Sequence, residues 1–160
     1  MPRCRGAWRR GSGRSMSEAQ GRAVGEAFLD HPEHELYDPA MPGELQGLER
    51  MLGVRLPPSF RGFLLVGSGG VLATGAIVLG TKDPDQLGAT LHAVAKDLWS
   101  EGLPRHLLPI VDGDRFYCLD LSRVDGGNEC EVVEVDTESL EVVGRHGSFA
   151  AFAEQVLLPS

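Results

Sequence analysis

Cysteine is scarce in this chain. Cys4, Cys118 and Cys130 stand far apart with no paired spacing. An odd set of thiols with no secretion signal argues against a disulfide framework and for reduced thiols in a reducing compartment. Cys118 falls in an expected strand, where it serves as a small buried hydrophobe. Long apolar runs are missing too: stretches such as Ala76 to Leu79 are strand-sized and too short to cross a bilayer. Basic residues thin out beyond the first fifteen positions. Those fifteen hold Arg3, Arg5, Arg9, Arg10 and Arg14 and no acid. The rest carries ten basic against twenty-three acidic side chains, a body charge of −13 within a formal total of −8. Such a body repels nucleic acid and anionic membranes and favours basic partners by long-range attraction.

What remains is one ordinary domain. At 160 residues, with 42% hydrophobic and 24% charged content, the chain can bury a single core, and disorder is not the default. The basic leader, residues 1–16, is expected to be a disordered tail read from upstream of the native start. Arg9-Arg10 imitates an export signal, but the Gly-Ser-Gly-Arg-Ser that follows is no apolar segment. Met16-Ser17-Glu18 makes a natural beginning, with Ser17 and Gln20 as a capping box. Residues 17–160 are expected to form the domain, and to reside in the cytoplasm.

Periodicity lays out the elements. Ser17 to Asp30 reads as a helix with Ala19, Ala23, Ala27 and Phe28 near one face, ended by His31-Pro32. A turn-rich loop leads to a second helix, about Gly43 to Leu52, with Leu45, Leu48 and Leu52 in register and Gly53 as its cap. Phe60, Phe63 and Leu64 mark a short amphipathic helix over Pro57 to Val66. Val71-Leu72 and Ile77 to Leu79 read as a hairpin. Asp83-Pro84 reads as a helix start, followed by the stripe Leu87, Leu91, Val94, Ala95 and Leu98 running to Gly102. Two further hairpins follow: Leu107 to Val111 with Arg115 to Leu121, then Glu131 to Asp136 with Leu140 to Val143. Ser148 caps a closing helix carrying Phe149, Phe152, Ala153, Val156 and Leu157. Helices interrupting strands joined mostly as hairpins predict an α+β domain with a largely antiparallel sheet.

Reactive constellations fail on spacing. Gly67-Ser68-Gly69-Gly70 is no dinucleotide fingerprint, since Leu72 stands where glycine is required. It is no nucleophile elbow, since Val66 replaces the first glycine, and no Gly-Lys-Ser/Thr follows for a phosphate loop. A turn with glycines at positive φ is the simpler reading. Asp112-Gly113-Asp114 starts like a calcium loop, but Phe116 and Arg123 occupy ligand positions five and twelve. His31 and His34 flank Pro32 without a companion cluster, which favours a solvated loop over zinc. No catalytic set, cofactor or metal is expected, and the chain is not read as an enzyme.

Acids crowd the C-terminal half: Asp112, Asp114, Asp120, Asp125, Glu129, Glu131, Glu134, Asp136, Glu138 and Glu141, against Arg115, Arg123 and Arg145. Strand alternation sets Glu134 and Asp136 on one face and Val133 and Val135 on the other. Such a surface serves either as a solvated face that blocks aggregation or as a negative recognition surface for a basic protein.

Two blocks and a closing motif carry a resemblance. Glu49 to Gly70 reads E-R-M-L-G-V-R-L-P-P-S-F-R-G-F-L-L-V-G-S-G-G; Asp112 to Leu121 reads D-G-D-R-F-Y-C-L-D-L, followed by V-V-E-V-D at Val132 to Asp136; Ser148-Phe149 through Phe152 closes the set. Their order resembles the SUKH superfamily, the Smi- and Knr-like proteins, over Glu44 to Leu157. Ser68 stands where the family has Asn, and the first helix lies outside the resemblance. The resemblance implies the SUKH fold, with Gly53, Leu56, Pro57, Phe60, Phe63, Leu64, Gly69, Gly70, Phe149 and Phe152 as structural motif positions. It also implies a non-catalytic binding role, most often as an immunity protein of a polymorphic toxin system that blocks a toxin domain, commonly a nuclease. The alternative is a regulatory scaffold without a toxin. On charge clustering alone, Asp112, Asp114, Asp120, Glu134 and Asp136 are the expected contacts for a basic partner.

Overall fold

Seven strands lie side by side in chain order, each antiparallel to the next. The computed structural model describes residues 6–86 and 88–158, with side chains from residue 17 onward. The elements are α1 (Gly6–Asp30), β1 (Glu35–Leu36), α2 (Pro42–Leu52), α3 (Pro58–Val66), β2 (Gly70–Val71), β3 (Ile77–Val78), α4 (Leu91–Glu101), β4 (Leu107–Asp112), β5 (Arg115–Asp120), β6 (Val132–Asp136), β7 (Val142–His146) and α5 (Phe149–Phe152). A π-helical turn, Ala153–Leu157, continues α5. Five helices around an antiparallel sheet make the α+β domain expected from the sequence.

The long strands sit in the middle. Leu107, Leu108, Ile110, Val111, Cys118, Leu119, Val132, Val133 and Val135 are all buried, consecutive residues included, so both faces of the central sheet are covered. Burial pushes the Cys118 thiol up to about 12, as befits a packing residue rather than a nucleophile. Cys4 lies outside the described residues.

Helix α1 starts at Gly6, ahead of the expected Ser17, and of its expected face only Phe28 is buried. Ala19, Ala23 and Ala27 are exposed; Gly21, Gly25 and Phe28 are buried. The reason is backbone proximity to α3. A β-carbon on Gly62 of α3 would lie 2.1 Å from the Glu18 carbonyl oxygen, and one on Gly25 would lie 2.7 Å from Cβ of Val66. Glycine is required where two helices approach closer than side chains allow. The leader expected over residues 1–16 falls partly on residues 1–5, outside the described residues, and partly on the opening turns of α1.

Helix α4 corrects a second expectation. It starts at Leu91, capped by Thr90 Oγ1 accepting from the Ala93 N–H, not at Asp83-Pro84. Gln86 and Gly88 take positive φ, which ends any helix there. The Asp83 carboxylate instead accepts from the N–H groups of Gly88 and Ala89, closing a loop. Leu91, Ala95 and Leu98 of the expected stripe are buried; Leu87 lies outside the described residues. Strand β1 lies in a stretch read as loop: its residues Glu35 and Leu36 include no β-branched side chain, unlike Val71 of β2 and Ile77–Val78 of β3. The last hairpin also shifts: β7 begins at Val142, after Leu140 at positive φ, and runs to His146.

Candidate protein-binding surface

The glycine turn is structural. Ser68 is fully buried, and its hydroxyl accepts from the Thr81 N–H at 2.8 Å and shares a 2.7 Å bond with Thr81 Oγ1. Of the four residues only Gly69 has a positive φ, +116°. Gly67 and Gly70 are glycine for another reason. Added β-carbons would lie 2.1 Å from the Leu36 side chain and 2.3 Å from the Glu35 carbonyl oxygen, so β1 could not pair here.

His34 is not in a solvated loop. Its Nδ1 accepts from the Ala73 N–H at 3.0 Å, and its Nε2–H donates to the Leu157 carbonyl oxygen at 2.8 Å. His31 stacks on it at 3.7 Å between centroids. Among the described residues, no three His, Cys, Asp or Glu side chains gather as a metal site. The cleft beside α2 and α3, about 470 Å³, is lined by Glu18, Glu49, Arg55, Arg61 and Asn128 among others. It holds no nucleophile next to a base.

The acids divide by sheet end. Arg115 opposes Asp136, so the β4–β5 and β6–β7 turns share one end of the sheet. That end carries Asp112, Asp114 and Asp136 together with Glu138 and Glu141; Asp114, Glu138 and Glu141 are exposed. Asp112 is half-buried at the end of β4, and burial raises its pKa. The Asp136 carboxylate accepts from the N–H groups of Ser139 and Glu138, which hold its pKa down and fix the turn that presents Glu138. Glu134 lies one step inward, its Oε2 3.4 Å from His146 Nε2 and opposite Tyr117. Burial, then the charge of Glu134, raises the Tyr117 pKa.

Asp120 sits at the other end, opposite Leu107, five residues along β5 or about 17 Å away. It is 3% exposed and bonded to the Ser122 N–H and hydroxyl and to Arg145. Burial alone would raise its pKa, but these donors outweigh it and hold the carboxyl below the usual range. The structure therefore gathers four of the five expected contact acids and leaves Asp120 as an internal brace.

Other acids are braces as well. Glu129 reaches from the β5–β6 loop to accept from the Ser59 N–H at 2.8 Å and from its hydroxyl. It thereby caps α3, whose Pro57 and Pro58 offer no capping side chain. Asp125 accepts from Gly127 and Glu129 within that loop. Glu49 accepts from the Leu56 N–H at 2.8 Å and pairs with Arg61, tying α2 to α3.

A SUKH family model described as SMI1-KNR4 cell-wall matches residues 24–158. The chain belongs to that family. A crystal structure of a protein from Pseudomonas syringae pv. tomato is 25% identical, with a TM-score of 0.62 over 87% of this chain and 96% of that one. No curated protein sequence matches.

The SUKH signature positions form the frame behind the acidic end. Gly53 caps α2 at φ +69°, and its N–H donates to the Glu49 carbonyl. Leu56 is buried and Pro57 leads into α3. Phe60 and Phe63 of α3 meet Phe149 of α5 edge-on at 5.6 and 5.9 Å, with Phe28 of α1 at 5.8 Å from Phe63. Phe152 lies 6.2 Å from Phe149 and 5.1 Å from Tyr117. Leu64 is fully buried beside them. The opening and closing blocks of the SUKH signature are thus two halves of one aromatic core, stabilised by about 0.5–1.5 kcal/mol per ring pair beyond area burial. Among the described residues, no helix is long and apolar enough to cross a membrane.

Proposed function

We propose that this SUKH domain is an immunity-type protein that binds a basic toxin domain and occludes its active-site surface, without catalysis of its own. One observation carries the reading. Two hairpin turns bring Asp112, Asp114, Asp136, Glu138 and Glu141 to one end of a rigid sheet, with Arg115 the one base among them on these turns. Negative charge concentrated on short turns speeds encounter with a positive surface and sets its orientation, while exposed acids add little to final affinity. A nuclease, which must attract phosphates, is the chemical class of toxin that fits.

The test is capture of partners by the tagged chain at low and high salt, alongside Asp114→Lys/Glu138→Lys/Glu141→Lys. The expected result is one basic protein retained at low salt, partly released at high salt, and lost by the charge-reversed variant. Retention indifferent to the reversal overturns the acidic-end reading. The SMI1-KNR4 cell-wall description favours a second reading, a regulatory scaffold. It predicts several weak partners in place of one tight one.

A further inference from the structure

Among the described residues the sheet ends at β7. Its hydrogen-bond parity shows what this edge offers. The Asp136 N–H donates to Glu141 on the β7 side, and the Asp120 N–H donates to Glu131 on the β5 side. Val132, Glu134 and Asp136 therefore bond toward β7, and Val133 and Val135 toward β5. On β7, His146 and Gly144 oppose Val132 and Glu134 and turn their peptide groups inward. Val143 and Arg145 turn theirs outward.

Natural edges are blunted by lysine, proline, inward-pointing charge or bulges, and of these β7 carries a bulge at Val142–Val143. β7 reads Val142-Val143-Gly144-Arg145-His146 and has neither lysine nor proline. Val142 and Val143 are 40% and 51% exposed, and a register shift sets both against Val135. The Arg145 guanidinium is drawn back onto Asp120 and Glu131 at 3.3 and 3.0 Å, so it does not guard the edge. The charge framing the start of the strand is negative, from the exposed Glu138 and Glu141, while Glu131 opposite its close is already paired with Arg145.

We propose that β7 receives an extended basic segment of the partner protein as an eighth strand, paired to the peptide groups of Val143 and Arg145. The identity of the partner as a basic protein rests on the reading under Proposed function; the mode of docking rests on the edge itself. Backbone pairing supplies affinity in such strand addition, and side chains at alternate positions supply specificity. Lysine or arginine at those positions meets Glu138 and Glu141.

The probe is a blocked seven-residue peptide of alternating lysine and valine, titrated into the full chain labelled for amide NMR. Glutamate–valine and alternately N-methylated lysine–valine peptides are the controls. The lysine–valine peptide is expected to bind, to slow exchange of the Val143 and Arg145 amides, and to weaken about tenfold or more in Val143→Pro. The N-methylated peptide keeps the charge but cannot pair, and is expected to lose binding to the same degree. No binding, or equal binding by the N-methylated peptide, overturns strand addition even if Val143→Pro fails to fold. Amide protection at β7 with no toxin captured from cells would sink the immunity reading and leave the edge site standing. A captured toxin that Val143→Pro retains fully would do the reverse.

Discussion

A β-carbon on Gly21 would lie 1.7 Å from the carbonyl oxygen of Ser59. Helices α1 and α3 thus touch backbone to backbone, and no side chain other than hydrogen fits between them. Gly21→Ala is expected to cost about 1–3 kcal/mol or more through forced separation, despite the better helix propensity of alanine. Gly47→Ala is the matched control, since nothing lies within 4 Å of its added carbon in the interior of α2. It should gain about 0.5–1 kcal/mol. Urea unfolding of the two variants decides: a Gly21→Ala protein as stable as its parent would refute the close contact.

Ser59 and Glu129 are expected to be energetically coupled although seventy residues separate them. Glu129→Ala removes the acceptor at the α3 N-terminus and should cost about 1–2 kcal/mol. Ser59→Ala loses only the hydroxyl bond and should cost less. A double-mutant cycle with coupling near zero would mean the loop does not hold the helix.

Asp120 and Asp112 should tilt the stability curve in opposite senses. The folded pKa of Asp120 is depressed, so its contribution is present above the unfolded value of about 3.9 and is lost as pH falls through the folded pKa. Asp120→Asn should therefore be most destabilising near neutrality, with the difference from the parent shrinking toward pH 2. The folded pKa of Asp112 is raised by burial, so its stabilising contribution exists below the unfolded value and is lost as pH rises. Asp112→Asn should be more stable than the parent at pH 7 and equal to it in strong acid. Parallel curves for all three proteins would contradict both assignments.

The thiols of Cys118 and Cys130 are buried and pushed up to about 12, Cys130 by burial first and then by Glu129. At pH 8 roughly one thiol in ten thousand is ionised. Iodoacetamide is expected to leave both untouched in the native protein and to label both once urea unfolds it. Rapid native labelling of Cys118, located by peptide mass spectrometry, would show that β5 opens.

His34 joins three parts of the chain through Ala73, Leu157 and the face of Phe28, the last at 4.6 Å between centroids. His34→Phe keeps the ring contact but leaves the Ala73 N–H and Leu157 carbonyl without this partner. A loss of about 1–3 kcal/mol is expected, with faster amide exchange in the π-helical turn. Unchanged exchange there would mean the ring is a spacer only.

Much of the fold was legible because it depends on local pattern. Leu45, Leu48 and Leu52 with Gly53 marked α2; Ser148 marked α5, and its hydroxyl accepts from the Ala151 N–H. Asp83-Pro84 misled because local capping chemistry was outweighed by positive φ at Gln86 and Gly88. The helix face of α1 misled because Gly21 and Gly25 count as weak residues until the neighbouring backbone is in place. The spacing Gly21-x-x-x-Gly25 was the signal available.

By itself the sequence determined the family, the antiparallel α+β plan and the negative body, since each follows from residue order and composition. Only the tertiary structure decided what each acid does. Asp112, Asp114, Glu134 and Asp136 collect toward one end because hairpin turns alternate between sheet ends, while Asp120, Glu129 and Glu49 turn inward to donors brought from distant segments. A carboxylate has the same charge in both settings; the number of N–H and O–H groups that folding places around it determines how far it is held as a brace or left toward solvent.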